Sequence, residues 1–227
     1  MHTPVGTKVK SMFASIAHRY DVTNTILSLG IHHIWKRHFI RSLHVGEAPR
    51  VMDLACGTGD LVPLLKSRHG GTVTGVDFCE PMLEVARERF PQFEFLQGDA
   101  LNLNFADNQF DLITVSFGVR NFENLEHGLK EIHRVLKPGG QIAVLEFGQP
   151  DGVLFGPFYR FYSRYIMPRI GGLLTGNQDA YEYLPETAAA FPCGEQFLEI
   201  LKRVGFHNPK LTRYTFGIAY GYCGVKQ

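Results

Sequence analysis

Seven residues, Asp53-Leu54-Ala55-Cys56-Gly57-Thr58-Gly59, join a short apolar run to a helical one that resumes at Leu61. Glycines at such a turn let a ligand lie against bare backbone, because no Cβ stands in the way. Ligands of open α/β sheets sit beyond the carboxyl ends of the strands, where strand order reverses. Asp77 closes the next apolar run, residues 72–76, and a carboxylate there can accept hydrogen bonds from both hydroxyls of a ribose. Gly98-Asp99-Ala100 follows the third run. An acid at that point can accept from an exocyclic amine while a neighbouring backbone N–H donates to a ring nitrogen. Together these residues describe an adenosine site. The plainer alternative is a tight strand-to-helix turn with no ligand, since glycine patterns alone are weak evidence.

The adenosine ligand is narrowed by charge. Dinucleotide sites use G-x-G-x-x-G to seat a pyrophosphate on a helix N-terminus. Here Gly57-Thr58-Gly59 runs into Asp60-Leu61-Val62, so the third glycine is missing and a carboxylate stands where phosphate would be repelled. Asp53 adds a second acid before the turn. A ligand carrying a sulfonium and an ammonium suits these surroundings better than a diphosphate. S-Adenosylmethionine is the favoured cofactor and NAD the alternative.

Positioning these residues requires strands that alternate with helices. Apolar runs at residues 51–54, 72–76, 93–96, 110–116 and 141–147 read as strands, with helices between them. Pro81 suits the first turn of the helix that turns Met82, Val85 and Ala86 inward. Leu125, Leu129, Ile132 and Leu136 mark another helix, stopped by a chain-reversing turn at Lys137-Pro138-Gly139-Gly140. Two further strand-like runs, about 208–214 and 217–225, follow a helix over 195–204. The expected fold is α/β: a mostly parallel seven-stranded sheet with helices on both faces. Ahead of it, Val9, Met12, Phe13 and Ile16 share one helical face, and a second amphipathic stretch runs from about His32 to Leu43. Asp21, Asn24, Ser28 and Gly30 punctuate the region between. Residues 1–45 thus read as an N-terminal helical cap and 46–227 as the ligand-binding domain, with an aromatic insertion at about 152–190 ahead of the last two strands.

Three segments resemble one family. Tyr20-Asp21-Val22-Thr23-Asn24-Thr25-Ile26-Leu27-Ser28-Leu29-Gly30-Ile31-His32-His33-Ile34-Trp35-Lys36-Arg37 is similar, at every fixed position, to the N-terminal signature of the UbiE/MenG quinone-biosynthesis C-methyltransferases. Ser116-Phe117-Gly118-Val119-Arg120-Asn121 is the second segment. Arg134-Val135-Leu136-Lys137-Pro138-Gly139-Gly140, leading to Leu145-Glu146-Phe147, is the third and is shared more widely. The resemblance spans nearly the whole chain and implies a Rossmann-like class I methyltransferase fold with a helical lid. It implies cofactor contacts at Thr58, Asp77, Asp99-Ala100 and Ser116. The candidate cofactor set is Asp53, Gly57, Thr58, Gly59, Asp77, Phe78, Asp99, Ala100 and Ser116. One departure is Ala55, where the broader class usually has glycine.

The implied reaction moves a methyl group from a sulfonium to an aromatic carbon of a prenylated hydroquinone. Demethylmenaquinol is the favoured acceptor, with a ubiquinone-precursor benzoquinol or another small lipid as alternatives. An in-line displacement needs alignment and exclusion of water. A ring carbon attacks well only when a neighbouring hydroxyl is ionised. Arg120, just past the fourth strand, is the cation for that oxyanion; a guanidinium stays protonated, so it stabilises charge and takes no proton. The competing role for Arg120 is an ion pair with Asp21 or Glu123. Asn121 and Tyr20 are candidates to complete the group. For the proton acceptor His32 is preferred to His133, whose helix lies away from the sheet edge.

Aromatics Phe155, Phe158, Tyr159, Phe161, Tyr162 and Tyr165 alternate with Arg160, Arg164 and Arg169, and no acid stands between Asp151 and Asp179. Residues 153–174 therefore suit an anionic bilayer surface or a cover for an oily tail, with Tyr165, Ile166, Met167 and Ile170 lining the way in. A lid or homodimer contact is the plainer use. Elsewhere, 23 Lys+Arg against 22 Asp+Glu leave no basic field for duplex nucleic acid. The amino-methylating (N/D)-P-P-(Y/F) motif is absent after strand four, and Pro192-Cys193 is misplaced for a ring nucleophile. No apolar run reaches membrane-span length, and the first eight residues lack the apolar core of a signal peptide. Cys56, Cys79, Cys193 and Cys223 form no disulfide or zinc pattern, and nothing beside His32-His33 completes a metal set. A cytoplasmic protein, peripheral at the membrane's inner face, without metal or nucleic acid, is expected.

Overall fold

The computed structural model describes residues 6–150 and 155–227. Residues 151–154, where the expected insertion and the 153–174 segment begin, lie outside the described residues, as do the first five residues of the expected cap. Seven strands form one sheet: β1 (Arg50–Leu54), β2 (Thr72–Asp77), β3 (Glu94–Gln97), β4 (Phe110–Ser116), β5 (Leu136–Phe147), β6 (Phe206–Tyr214) and β7 (Ala219–Lys226). Their order is β3-β2-β1-β4-β5-β7-β6. Strands β1 to β5 pair in parallel, whereas β7 runs antiparallel to both β5 and β6. The chain winds outward from β1 toward β3, then crosses back to β4. The reversal therefore lies between β1 and β4, and the loops after β1, β2, β3 and β4 gather at one rim.

The helices are α1 (Gly6–Ile16), α2 (Tyr20–Leu27), α3 (Ile31–Ser42), α4 (Val62–His69), α5 (Glu80–Arg89), α6 (Leu125–Val135), α7 (Phe155–Phe161), α8 (Met167–Thr175), α9 (Gln178–Ala190) and α10 (Glu195–Val204). On one face of the sheet Phe110, Leu129, Ile132, Phe197 and Leu201 form a core with α6 and α10. On the other face Trp35, Phe39, Leu65 and Leu83 bring α3, α4 and α5 together. Phe39, Phe110 and Phe197 are sealed from solvent, and each such burial stabilises the fold by about 1.5–3 kcal/mol. A third cluster, with Ile16, Leu27, Met82, Met167 and Tyr181, joins α1 and α2 to α5 and to the insertion.

Two details differ from the sequence reading. Residues 20–27, where Asp21 and Asn24 suggest a break, form α2, because Thr23 and Leu27 are buried by tertiary packing that outweighs poor helix formers. Residues 137–140 do not reverse the chain. They bulge within β5, whose register slips between the Phe110–Leu136 and Leu112–Gln141 pairs. The insertion is helical: α7 runs through a π-helical turn, Tyr162–Ile166, into α8, and α9 packs back on it. Asn177 caps α9 by accepting from Ala180 N at 3.2 Å. The lid is tied to the N-terminal helices by Tyr162 Oη donating to Leu27 O at 2.6 Å, Arg19 Nη1 to Leu174 O at 2.9 Å and Asn177 Nδ2 to Ser15 Oγ at 2.7 Å.

Candidate functional site

A cavity of about 620 Å³ opens at the strand-order reversal. Tyr20, Asp53, Gly57, Thr58, Asp77, Phe78, Asp99, Ala100, Ser116, Arg120 and Asn121 all line it. Gly59 does not: a Cβ there would stand 2.7 Å from the Phe95 ring, so this glycine serves close packing of the turn. Gly57, at φ 56°, has open space where a Cβ would project. Ala55 also has a positive φ, 55°, which explains why a glycine suits its place; the left-handed conformation costs an alanine about 1–2 kcal/mol.

At the end of β2, Asp77 is buried and braced. Its Oδ2 accepts from Gly57 N at 2.8 Å and its Oδ1 from Cys79 N at 2.9 Å. Burial raises the carboxyl above its ordinary value, against the pull of those backbone bonds. The Phe78 N–H bonds the same carboxyl, so of about four acceptor sites at least one remains for a ligand hydroxyl. Asp99 is exposed at the rim, with Oδ1 held by Leu101 N at 2.8 Å. Ser116 Oγ is buried and has no hydrogen-bond partner among the described residues.

Beneath the glycine turn, Asp53 is buried beside Thr114, whose hydroxyl donates to Oδ1 at 2.7 Å. Burial pushes the carboxyl up to about 7, with Thr114 opposing and Asp60 assisting. Asp60 receives Lys36 Nζ at 2.8 and 2.7 Å. Burial would raise this carboxyl too, but Lys36 and the two histidines bring it below its ordinary value. Thr58 shares its one hydroxyl hydrogen between the two oxygens of Asp21, at 2.9 and 2.8 Å, and Asp21 also pairs with Arg89. Helices α2 and α3 are thus both fastened to the glycine turn.

In the turn after β4, Arg120 is buried. It does not pair with Asp21 or Glu123, as the sequence suggested. Its Nη1 meets Glu146 Oε1 at 2.9 Å, Nη1 also donates to Phe117 O, and its backbone N donates to Glu146 Oε2 at 3.2 Å. Glu146 is the penultimate residue of β5, the strand beside β4. The Nε–H of Arg120 is buried with no partner among the described residues. Tyr183 of α9 donates to Asn121 Oδ1 at 3.2 Å. Burial pushes the Tyr20 hydroxyl up to about 12, with Arg120 working the other way. Tyr20 therefore stays a neutral donor.

His32 also lines the cavity, while His133 of α6 packs edge-on against the buried Phe206 and is not among the lining residues. Ser28 Oγ lies 2.7 Å from Asn24 O and 2.5 Å from His32 Nδ1. A hydroxyl has one hydrogen and the carbonyl can only accept, so His32 Nδ1 donates to Ser28 and Nε2 is left as an acceptor. Burial, aided by Lys36 and His33, lowers the imidazole to about 4. Neutral His32 can orient a hydroxyl but holds a proton weakly.

The lid lines the cavity with Phe158, Tyr159, Tyr162, Met167, Ile170 and Leu184. Of the four residues expected to line a tail route, Met167 and Ile170 line the cavity. Tyr165 and Ile166 face outward instead, because the π-helical turn rotates them off that face. The sequence reading missed Glu146 and Tyr183. Glu146 carried a signal, an acid inside the apolar 142–147 run that needs a buried partner; Tyr183 carried none.

A model of the ubiE/COQ5 methyltransferase family matches residues 1–226. The chain is 44% identical over 230 residues to a Bdellovibrio bacteriovorus protein named ubiquinone/menaquinone biosynthesis C-methyltransferase UbiE, covering 99% of this chain and 98% of that one. It is 44% identical over 219 residues to a Thermus thermophilus demethylmenaquinone methyltransferase, covering 94% and 99%. Among solved structures, a SAM-dependent methyltransferase from Thermotoga maritima superposes with a TM-score of 0.70 at 20% identity, covering 96% of this chain and 99% of that one. Phosphoethanolamine N-methyltransferase 2 of Haemonchus contortus, in complex with S-adenosylmethionine, gives 0.62 at 19%, covering 85% and 52%. At these identities the two structures speak for the fold alone.

Proposed function

The chain belongs to the ubiE/COQ5 methyltransferase family, and from that premise we propose that it moves a methyl group from S-adenosylmethionine to a ring carbon of a prenylated hydroquinone. Demethylmenaquinol is the favoured acceptor, matching the name of the Thermus relative; the Bdellovibrio relative's name covers ubiquinone as well. One observation carries the reading. One cavity is lined by the acids Asp53, Asp77 and Asp99, by Arg120, Asn121 and Tyr20, and by the aromatics Phe158, Tyr159 and Tyr162 of the lid, a combination that supports both halves of the reaction.

The residues present fit the cofactor. Ser116 Oγ lacks a partner, Gly57 leaves room against its backbone, and the acids Asp53 and Asp60 suit a cationic ligand while opposing a diphosphate. Asp77 would take the ribose hydroxyls, Asp99 and Ala100 the base, and Thr58, Gly57 and Phe78 the surrounding faces. The cofactor supplies the electrophilic methyl group. The chain supplies alignment and a dry site. The spare Nε–H of Arg120 would serve a developing phenolate, and Asn121 and Tyr20 would orient the same hydroxyl. Glu146 offsets the guanidinium charge, so a cationic cofactor is tolerated nearby.

An oily tail would leave past Met167 and Ile170 toward the exposed Phe158 and Leu173. The arginines of the 153–174 segment favour docking of that face on an anionic bilayer. No helix among the described residues is long and apolar enough to cross a membrane.

The test is mass spectrometry of product made from chemically reduced demethylmenaquinone and methyl-labelled S-adenosylmethionine. One labelled methyl on the ring carbon is expected. Label on oxygen or nitrogen, or label only on a reduced benzoquinone precursor offered in parallel, would displace the proposal.

A further inference from the structure

Resting on the S-adenosylmethionine reading, we infer that Lys36 binds the α-carboxylate of the cofactor's methionyl end and makes the protein select ligands with an intact amino-acid tail. Among the described residues, two permanent cations line the cavity, Lys36 and Arg120. Arg120 is committed to Glu146 at the acceptor end. His32 is neutral, so it supplies no charge for an anion. Arg89, which pairs with Asp21, is not among the lining residues.

Lys36 is placed for the task by α3. Trp35, its neighbour, is buried in the sheet-facing core and donates from Nε1 to Thr215 Oγ1 at 2.8 Å, which fixes the helix's rotation. The Lys36 side chain is 12% exposed. Two of its three N–H groups go to Asp60, and the third has no acceptor among the described residues. A lysine ammonium is a compact charge with rotatable donors, so it can keep Asp60 and take a second anion.

The local charge count points the same way. Asp53 and Asp60 stand with one ammonium, so an ionised Asp53 leaves this corner one charge negative. A clamp between α3 and the glycine turn needs only one acid and one base. The second acid is explained by a zwitterion: Asp53 takes its ammonium and Lys36 its carboxylate, while the remaining negative charge complements the sulfonium.

The test is calorimetric binding of three neutral-sulfur ligands to the full chain: S-adenosylhomocysteine, its decarboxylated analogue and 5′-methylthioadenosine. Wild type should prefer S-adenosylhomocysteine to the decarboxylated analogue by about 10- to 100-fold, the scale of one hydrogen-bonded charge. Lys36→Met should bring that ratio near one and leave 5′-methylthioadenosine affinity nearly unchanged. Lys36→Arg should restore part of the ratio. Asp60→Asn should keep it, because it removes the clamp and not the carboxylate site. A wild-type ratio near one, or Lys36→Met weakening all three ligands alike, would overturn the inference while leaving the cofactor reading intact. Wild type indifferent to all three would overturn both, and that is read before any variant is made.

Discussion

Arg120, in the turn after β4, and Glu146, near the end of the neighbouring β5, face each other at 2.9 Å, with side chains 2% and 0% exposed. A pair so sealed is costly to break and contributes little net stability when whole. Glu146→Ala leaves a buried guanidinium without its partner. It should lower unfolding free energy by about 3–5 kcal/mol in urea titrations. The double variant Arg120→Met/Glu146→Leu should recover most of that loss and still fail to methylate, which separates the pair's chemistry from its contribution to folding.

Asp53 should make cofactor affinity depend on pH. Its ionised form attracts an ammonium and its protonated form does not. With the carboxyl near 7, S-adenosylhomocysteine affinity should climb as pH rises from 6 to 8, while 5′-methylthioadenosine, which lacks the ammonium, stays flat. Asp53→Asn should remove the slope. Stability moves the other way. The folded carboxyl holds its proton more tightly than the unfolded one, whose pKa is about 4. The group's contribution is therefore full below about pH 4 and shrinks as pH climbs toward 7. Paired melts of wild type and Asp53→Asn across that window check the sign.

Asp77 braces the turn as well as facing the cavity. Asp77→Ala strands the N–H groups of Gly57 and Cys79, at about 1–3 kcal/mol each. It should lower both the melting temperature and cofactor affinity, the latter by at least about tenfold. Asp77→Asn, which keeps one acceptor oxygen, should regain part of the stability and less of the affinity. Unchanged affinity in both variants would show that the nucleoside end is misplaced.

The glycine turn, the acids after β2 and β3 and the Arg120 loop were legible because each is local: a strand end, a turn and the residue just past it. What crosses between elements was not. Arg120 has carboxylates nearby in sequence at Glu123 and in the N-terminal signature at Asp21, yet it takes Glu146, because parallel pairing of β4 and β5 brings those strand ends side by side. Thr58 lines the cavity as expected and also holds Asp21 of α2, a partner that nothing local signals. The 137–140 bulge hid for a related reason. Pro and two glycines carry the same local signal for a reversal and for a bulge, and only the neighbouring strand decides between them.

Tyr20 is a donor whose proton is not lost at working pH, since its hydroxyl is pushed up to about 12. Tyr20→Phe should leave S-adenosylhomocysteine affinity unchanged and lower kcat about a hundredfold, the effect of removing one aimed donor. The rate profile should keep its inflections, because no titration of Tyr20 falls within the assay range. A shifted inflection would make the phenol a proton carrier and displace the donor role.

The lid face predicts salt-sensitive membrane binding. Leu29, Phe158 and Leu173 are 92%, 66% and 86% exposed, and Leu29 and Phe158 also line the cavity. Arg160, Arg164 and Arg169 are exposed on the same helical segment. Apolar side chains of this kind enter a bilayer interface, and each nearby arginine adds about 1 kcal/mol on an anionic surface. The protein should float with phosphatidylserine-containing liposomes at low salt and be released at high salt, where a Debye length of a few ångströms screens the arginines. Arg160→Gln/Arg164→Gln/Arg169→Gln should weaken flotation by about 3 kcal/mol and leave S-adenosylhomocysteine binding intact. Leu173→Ser should weaken it with no change in salt dependence, since it removes apolar area and no charge. Failure to float at low salt, with and without reduced quinone, would remove the bilayer from this face. A dimer by sedimentation that buries Leu173 would give the face to a second copy of the chain.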